Sequence, residues 1–341
     1  MGRRSLALRV ETWPVRAPFV ISGHVWNAVD VLVAEITVDG MVGRGEAAGV
    51  FYHDETGPRM LADAEQARAA VEAGASRLDL LRILPACGAR NSLDAALWEL
   101  ESAAAGVSVS ELAGLGRATP RLTTCTVGLG SPEAMAAGAI AYAEARAIKL
   151  KLAGDELDAD RVRAVRAARP GVWLGVDGNQ GFDLDHLKAL APVLVEASVS
   201  LCEQPLPVGQ EALLDGLDYP IALAADETVQ DLADLDRVIG RFQVVNLKLD
   251  KSGGLTRALE IAEAARERGL ELMVGNMLGT SLAMAPAFVL AQLCDVVDLD
   301  GPLLMARDRT PAAIYADGLI DCPRAVWGAG ASPSTAAEAD Q

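Results

Sequence analysis

From about residue 120 onward, short apolar runs alternate with helical stretches at a steady interval, and this alternation restricts the fold more than any other feature. The runs are RLTTCTV, AIKLKL, VWLGVD, VSLCEQP, PIALAADE, QVVNLKLD, LELMVGN and VVDLD, ending near residues 127, 151, 177, 203, 226, 248, 276 and 300. Steps of roughly two dozen residues accommodate a strand, a crossover helix and two short loops. Between the runs, DADRVRAVRAARPG and GLTRALEIAEAARERG have helical periodicity, and the second closes with a basic turn and a glycine stop. Eight such strands in series read as a parallel barrel. A doubly wound sheet is the alternative, but no Gly-x-Gly-x-x-Gly follows the first strand.

The first 115 residues follow another pattern. VETWPVRAPF, AVDVLVAEITVDGMVGRGEA and a helical tract through NSLDAALWELESAAAG read as a three-stranded meander followed by helices. The Asp-Gly pair in TVDGMV, set between β-branched runs, is a hairpin signal. After Arg307, AAIYADGLIDCPR reads as one or two more strands that could return to this first unit, and the closing ASPSTAAEADQ is small and polar and expected to fray. The expected division is a first domain over 1–115, completed by about 308–335, and a barrel over 116–307. With 51% apolar but only 4% aromatic residues among 341, the cores must be mainly aliphatic.

A net charge of −17 argues against nucleic acid or anionic membrane as a partner, since both need a basic footprint. The five cysteines are scattered and lack paired C-x-x-C spacing, which suits reduced thiols better than a disulfide framework or a zinc site. MGRRSLALRVETWPVRAPF has no apolar stretch of signal-peptide length, and no run of about 18 apolar residues suggests a membrane span. A cytoplasmic location is expected, and a homo-oligomer is compatible with this composition.

In a parallel barrel, chemistry sits at the C-terminal ends of the strands. Here those ends carry Lys149 and Lys151, then Asp177, Glu203, Asp226, Lys248 and the Asp298/Asp300 pair. One charged residue at a strand end is explained by the strand reaching the surface; six strands ending this way are not. Asp177, Glu203 and Asp226 lie on consecutive strands and repel one another unless a cation joins them. An all-oxygen set suits Mg²⁺, with Mn²⁺ fitting nearly as well. The strand order puts Lys151 and Lys248 on opposite sides of that set, a geometry for removing a proton from one face of a carbon and returning it to the other. Lys149 and Lys151 alternate with Ile148, Leu150 and Leu152, so both ammonium groups face one way. The expectation is that Lys149 lowers the pKa of Lys151 toward neutrality and makes it a base.

These motifs together resemble the enolase superfamily and, within it, the muconate-lactonising subgroup. IKLKLAG, VDGNQGF, CEQP, ADE and LKLDKSGG match that subgroup's Lys-x-Lys, its three metal ligands and its partner lysine, in order and spacing, and the resemblance covers nearly the whole chain. It implies an α/β architecture, a (β/α)7β modified TIM barrel with an α+β capping domain. It also implies that Mg²⁺ binds a substrate carboxylate and stabilises the enediolate left when the α-proton departs, with Lys151 and Lys248 as the acid–base pair. The segment VVDLDGPLL is similar to the dipeptide epimerases, in which an Asp-x-Asp holds the free α-ammonium of the substrate. By that resemblance Asp298 and Asp300 bind the ammonium. Lys149, Thr126 in CTVGLGSPE and Asn276 in GNMLGTSLAMAP are further substrate contacts. The implied reaction inverts the α-carbon of the C-terminal residue of an L,L-dipeptide by 1,1-proton transfer. N-acylamino acid racemases, muconate cycloisomerases and o-succinylbenzoate synthases of the same subgroup are the alternatives, and none has an ammonium to hold.

One departure bears on the substrate. Epimerases of Ala-Glu carry a capping-loop arginine that pairs with the glutamate. Here APFVISGHVWNAVD has His24 at the matching place, with no Arg or Lys between Arg16 and Arg44. A second capping loop, GVFYHDETGPRM, offers Tyr52, His53, Asp54 and Glu55. The expected second residue is neutral, apolar or basic, with His24 as a substrate contact. A Schiff-base lyase would also use barrel lysines, but it leaves the three carboxylates without a role. A non-catalytic protein that kept the fold would leave the lysines without one.

Overall fold

The computed structural model describes residues 4–328. The expectation for ASPSTAAEADQ, and the end of the 308–335 segment, lie outside the described residues. The chain opens with an antiparallel meander of β1 (Ser5–Ile21), β2 (His24–Val38) and β3 (Met41–Ala48). The β2–β3 turn is Asp39-Gly40, with φ of 51° and 80°, the left-handed pair that a two-residue hairpin needs. Three helices follow: α1 (Gly57–Glu72), α2 (Arg77–Ile83) and α3 (Gly88–Ala105). Helix α3 lies directly on β3 because glycine stands at the crossings. A Cβ at Gly43 would come within 2.0 Å of the Ala96 carbonyl oxygen, and one at Gly45 within 1.9 Å of that of Ser92.

Eight parallel strands then lie side by side in chain order: β5 (Thr124–Val127), β6 (Ala147–Lys151), β7 (Trp173–Asp177), β8 (Leu201–Glu203), β9 (Ala222–Ala225), β10 (Val244–Leu247), β11 (Glu271–Val274) and β12 (Val296–Val297). They form a nearly closed barrel. Alternation sends Ile148 and Leu150 outward into the aliphatic core beneath the helices, while Lys149 and Lys151 face the interior. Leu201, Ala224, Val244 and Met273 form a separate apolar cluster within the ring. At the seam, side chains bridge the first strand and the last. Thr124 Oγ1 donates to Asp298, the Thr126 N–H to Asp300 Oδ2 (2.5 Å) and the Leu299 N–H to Thr123 Oγ1 (3.0 Å).

Two details differ from the regular repeat. The β8–β9 connection contains only a 3-10 turn (Glu211–Leu214), and a four-residue helix (Leu235–Val238) follows β9. The late strands β13 (Ile314–Ala316) and β14 (Leu319–Asp321) do not join the β1–β3 sheet; β14 pairs with β4 (Arg121–Leu122), just before the first barrel strand. The segment after them also reaches the first unit. Trp327 Nε1 donates to the Arg44 carbonyl (2.9 Å), and the Gly328 N–H donates to Glu99 (2.9 Å). Among the described residues no helix is long and apolar enough to cross a membrane.

The first unit is clamped over the barrel mouth. Buried Glu46, near the end of β3, accepts from the Thr280 N–H (2.8 Å), the Thr280 hydroxyl (2.6 Å) and Arg309 (2.7 Å). Asp250, just after β10, accepts from the Ala48 N–H (3.0 Å) and Asn91 Nδ2 (3.1 Å).

Candidate active site

The carboxyl ends of the barrel strands open into one cavity roofed by the first unit. Lys149, Lys151, Lys248, Thr126, Asn276, Asp298 and Asp300 line it. Asp177, Glu203 and Asp226 lie buried beneath, reached through the lysines. The register explains the grouping. Lys151 is paired with Asp177 across β6 and β7, and Asp177 with Glu203 across β7 and β8. Asp226 follows β9, and Lys248 follows β10 with extended backbone. Three acid-bearing strands therefore separate the two lysines, as the strand order predicts.

Each acid has an ammonium partner. Lys151 Nζ is 2.6 Å from Asp177 Oδ2, and Lys248 Nζ is 2.6 Å from Asp226 Oδ2. Lys149 Nζ contacts Glu203 at 3.0 Å, Asp177 at 3.8 Å and Asp298 by a short ion pair. Lys149 therefore stands beside Lys151 as an ion-paired ammonium. Burial alone would lower the Lys149 pKa, but Asp298, Glu203 and Asp177 hold it well above the ordinary lysine value. Burial likewise opposes the charge on Lys248, and Asp226 and Glu203 outweigh it, so its pKa is raised. Glu203 is pushed up to about 7 by burial and by Asp177. Asp226 is held below the usual carboxylate range by Lys248 and Lys251, against the effect of burial.

Asp298 and Asp300 lie just beyond β12 rather than within it, so the loop and not strand alternation turns both to the cavity. Burial and the charge of Asp298 push Asp300 up to about 6; Asp298 itself is lowered by Lys149 despite its burial. The Asp298 carbonyl accepts from Asn276 Nδ2 (2.5 Å). Gly275 gives the lysine room, because a Cβ there would sit 2.9 Å from Lys248 Cε. His24 sits behind the rings that line the cavity. It does not line the cavity, and its ring instead packs 4.2 Å from Trp26 and 4.7 Å from Phe51, holding two capping segments together.

Four more residues belong to the site and escaped the sequence reading as site residues. Lys251 Nζ grips Asp226 through its carbonyl and through Oδ1 (2.5 Å). Asn246 Nδ2 donates to Glu203 (2.7 Å). Glu227 and Asn179 line the cavity, joined by a 3.4 Å hydrogen bond. Asn246 was findable, since it precedes Lys248 by two on an inward-facing strand. Lys251 and Glu227 follow strand ends, where alternation no longer assigns a direction.

The donor chemistry fits a divalent cation. Among the described residues the three acids are turned to lysines rather than gathered as a ready ligand set. Yet Lys149, Lys151, Lys248 and Lys251 face Asp177, Glu203, Asp226, Glu227, Asp298 and Asp300, all buried, so the acids outnumber the amines and a further cation would be favoured there. Asn179 Oδ1, Glu227 Oε2, Asn246 Oδ1 and the Tyr52 hydroxyl are buried there without partners. All-oxygen donors of this kind suit Mg²⁺.

Comparison with known proteins agrees with this geometry. Residues 133–336 match the model of the family described as enolase C-terminal domain-like. An L-Ala-D/L-Glu epimerase of Escherichia coli (strain K12) is 36% identical over 92% of this chain and 98% of its own. An N-acetyl-D-glutamate racemase of a Pseudoalteromonas species is 39% identical over 73% of this chain and 79% of its own. Among solved structures, a dipeptide epimerase from Methylococcus capsulatus, complexed with Mg and the dipeptide L-Arg-D-Lys, superposes with a TM-score of 0.88 at 31% identity. The match covers 95% of this chain and 98% of that one.

Proposed function

The chain belongs to the enolase C-terminal domain-like family, and on that footing we propose that it is a Mg²⁺-dependent dipeptide epimerase. The observation that carries the reading is the placement of Lys151 and Lys248 on either side of the acid-bearing strands, over a cavity whose seam edge carries Asp298 and Asp300. Asp298 and Asp300 hold the ammonium of the first residue, with Thr126 and Asn276 beside them. That anchor presents the α-carbon of the second residue between the two lysines. One lysine, neutral, takes the α-proton; the other, protonated, delivers a proton to the opposite face. Asp226 and Glu203 lie beside Lys248 and favour its charged form. Asp177, Glu203 and Asp226 would hold Mg²⁺, which supplies electrostatic stabilisation of the substrate carboxylate as negative charge builds on it. Lys149 stays protonated and adds a fixed positive charge nearby. Five free cysteines, four of them buried, suit the reducing cytoplasm in which we place the enzyme.

The test is α-proton exchange of L-Ala-L-Xaa dipeptides in D₂O, followed by NMR. Deuterium should enter at the second α-carbon and both epimers should appear; chelation should stop the exchange, and Mg²⁺ or Mn²⁺ should restore it. The similarity to an N-acetyl-D-glutamate racemase favours a second reading, N-acylamino acid racemisation. Asp298→Asn with Asp300→Asn separates the two. Dipeptide exchange should fall by ~10²-fold or more, as expected when a charged partner worth ~3 kcal/mol is removed. N-acyl substrates, lacking an ammonium, should be little affected.

A further inference from the structure

We propose that the second residue of the substrate carries an apolar, preferentially aromatic, side chain and that acidic side chains are rejected. This inference rests on the epimerase reading and names its substrate class. The cavity wall above the lysines is apolar from both directions. The tip of the β1–β2 hairpin contributes Phe19, Ile21 and Trp26, the 3-10 turn Phe51–His53 contributes Phe51, and the loop after β11 contributes Met277 and Leu278. The rings are locked together: Phe19 and Trp26 are 5.9 Å apart, and Trp26 meets Phe51 edge-on at 5.0 Å. His24 braces that junction from outside the cavity. Phe19, Trp26, Phe51 and Met277 are only partly buried, so the wall keeps apolar surface for a substrate to cover.

An acidic side chain would find no free cation among the described residues of this wall, where the Tyr52 hydroxyl is the polar group beside Phe51. Among the described residues the cations lining the cavity are Lys149, Lys151 and Lys248, and each is already ion-paired to an acid of the cluster. The acid in the cavity with an unpartnered oxygen, Glu227, supplies no positive charge either. A buried carboxylate without hydrogen bonds or counter-charge is strongly disfavoured. A cationic side chain fares little better against this wall, because Phe19, Ile21, Trp26, Phe51, Met277 and Leu278 offer nothing that replaces the hydration of an ammonium. The choice thus departs from the glutamate for which the Escherichia coli relative is named.

The experiment measures kcat/KM for α-deuterium exchange by the full chain with Mg²⁺, using L-Ala-L-Phe, L-Ala-L-Leu, L-Ala-L-Ala, L-Ala-L-Glu and L-Ala-L-Lys. L-Ala-L-Phe and L-Ala-L-Leu should exceed the glutamate and lysine dipeptides by ~10²-fold or more, the scale of discrimination an apolar pocket supports. Trp26→Ala should lower the value for L-Ala-L-Phe about tenfold more than that for L-Ala-L-Ala. Trp26→Leu, which keeps the wall apolar, should recover part of the difference. Preference for glutamate or lysine, or equal losses for L-Ala-L-Phe and L-Ala-L-Ala in Trp26→Ala, would overturn the inference while leaving the epimerase reading intact. Absence of exchange with every dipeptide would overturn both.

Discussion

An ammonium group taken out of water loses several kcal/mol of hydration unless opposing charge replaces it, and this chain buries four around one cavity. Lys149, Lys151, Lys248 and Lys251 are each matched to an acid at 3.0 Å or less. That matching is why lysines at the ends of apolar runs can be read as chemistry rather than as packing errors. Removing one amine does two things at once: it deletes a proton carrier and leaves an acid uncompensated. Lys151→Ala and Lys248→Ala should each reduce α-exchange by about 10²–10⁴-fold, the ordinary contribution of a general acid or base. Single-turnover measurement starting from each epimer should reveal which face each lysine serves. A loss of less than tenfold in either variant would remove that residue from the proton-transfer pair.

Secondary-structure elements set how firmly the two units meet. β3 carries Gly43 and Gly45 against α3, and one residue further on Glu46 reaches across to Thr280 and Arg309. The contact at the glycines is backbone against backbone, so no side-chain rotation can relieve an added methyl. Gly45→Ala should therefore destabilise the fold by at least the ~1–3 kcal/mol typical of overpacking. The measurement is a urea denaturation midpoint, with a wild-type midpoint refuting the close approach. The alternation in AVDVLVAEITV and the Asp-Gly turn make this meander legible from its residues, since both signals are local. The identity of its neighbours is not. The strands within AAIYADGLIDCPR are legible as strands, yet they pair beside the barrel's first strand, because free strand edges do not specify their partner by pattern alone.

At the scale of the whole molecule, two buried acids besides Glu46 join the cap to the barrel. Asp94 accepts from the Thr256 N–H (3.0 Å) and hydroxyl (2.5 Å), and Asp250 from Ala48 and Asn91. Burial pushes Asp94 up to about 6 and Asp250 up to about 7, partly countered by these hydrogen bonds. An acid whose pKa rises on folding binds its proton more tightly in the folded state. Its stabilising contribution is full below the unfolded value near 4 and is lost as pH climbs through the folded one. The melting temperature should accordingly fall between pH 5 and pH 8, and Asp250→Asn should flatten the fall; an unchanged slope in that variant would exclude Asp250 as its source. What the sequence determined alone is the barrel, the order of its strands, and the acids and lysines at their ends. Alternation and charge within an apolar run act over a few residues, so they can be read there. The tertiary structure decided which acid meets which lysine, that His24 braces aromatic rings outside the cavity, and that Asp298 and Asp300 also close the seam. Those outcomes depend on residues far apart in the chain, such as Thr124 and Asp298, 174 positions apart, which meet only when the barrel closes.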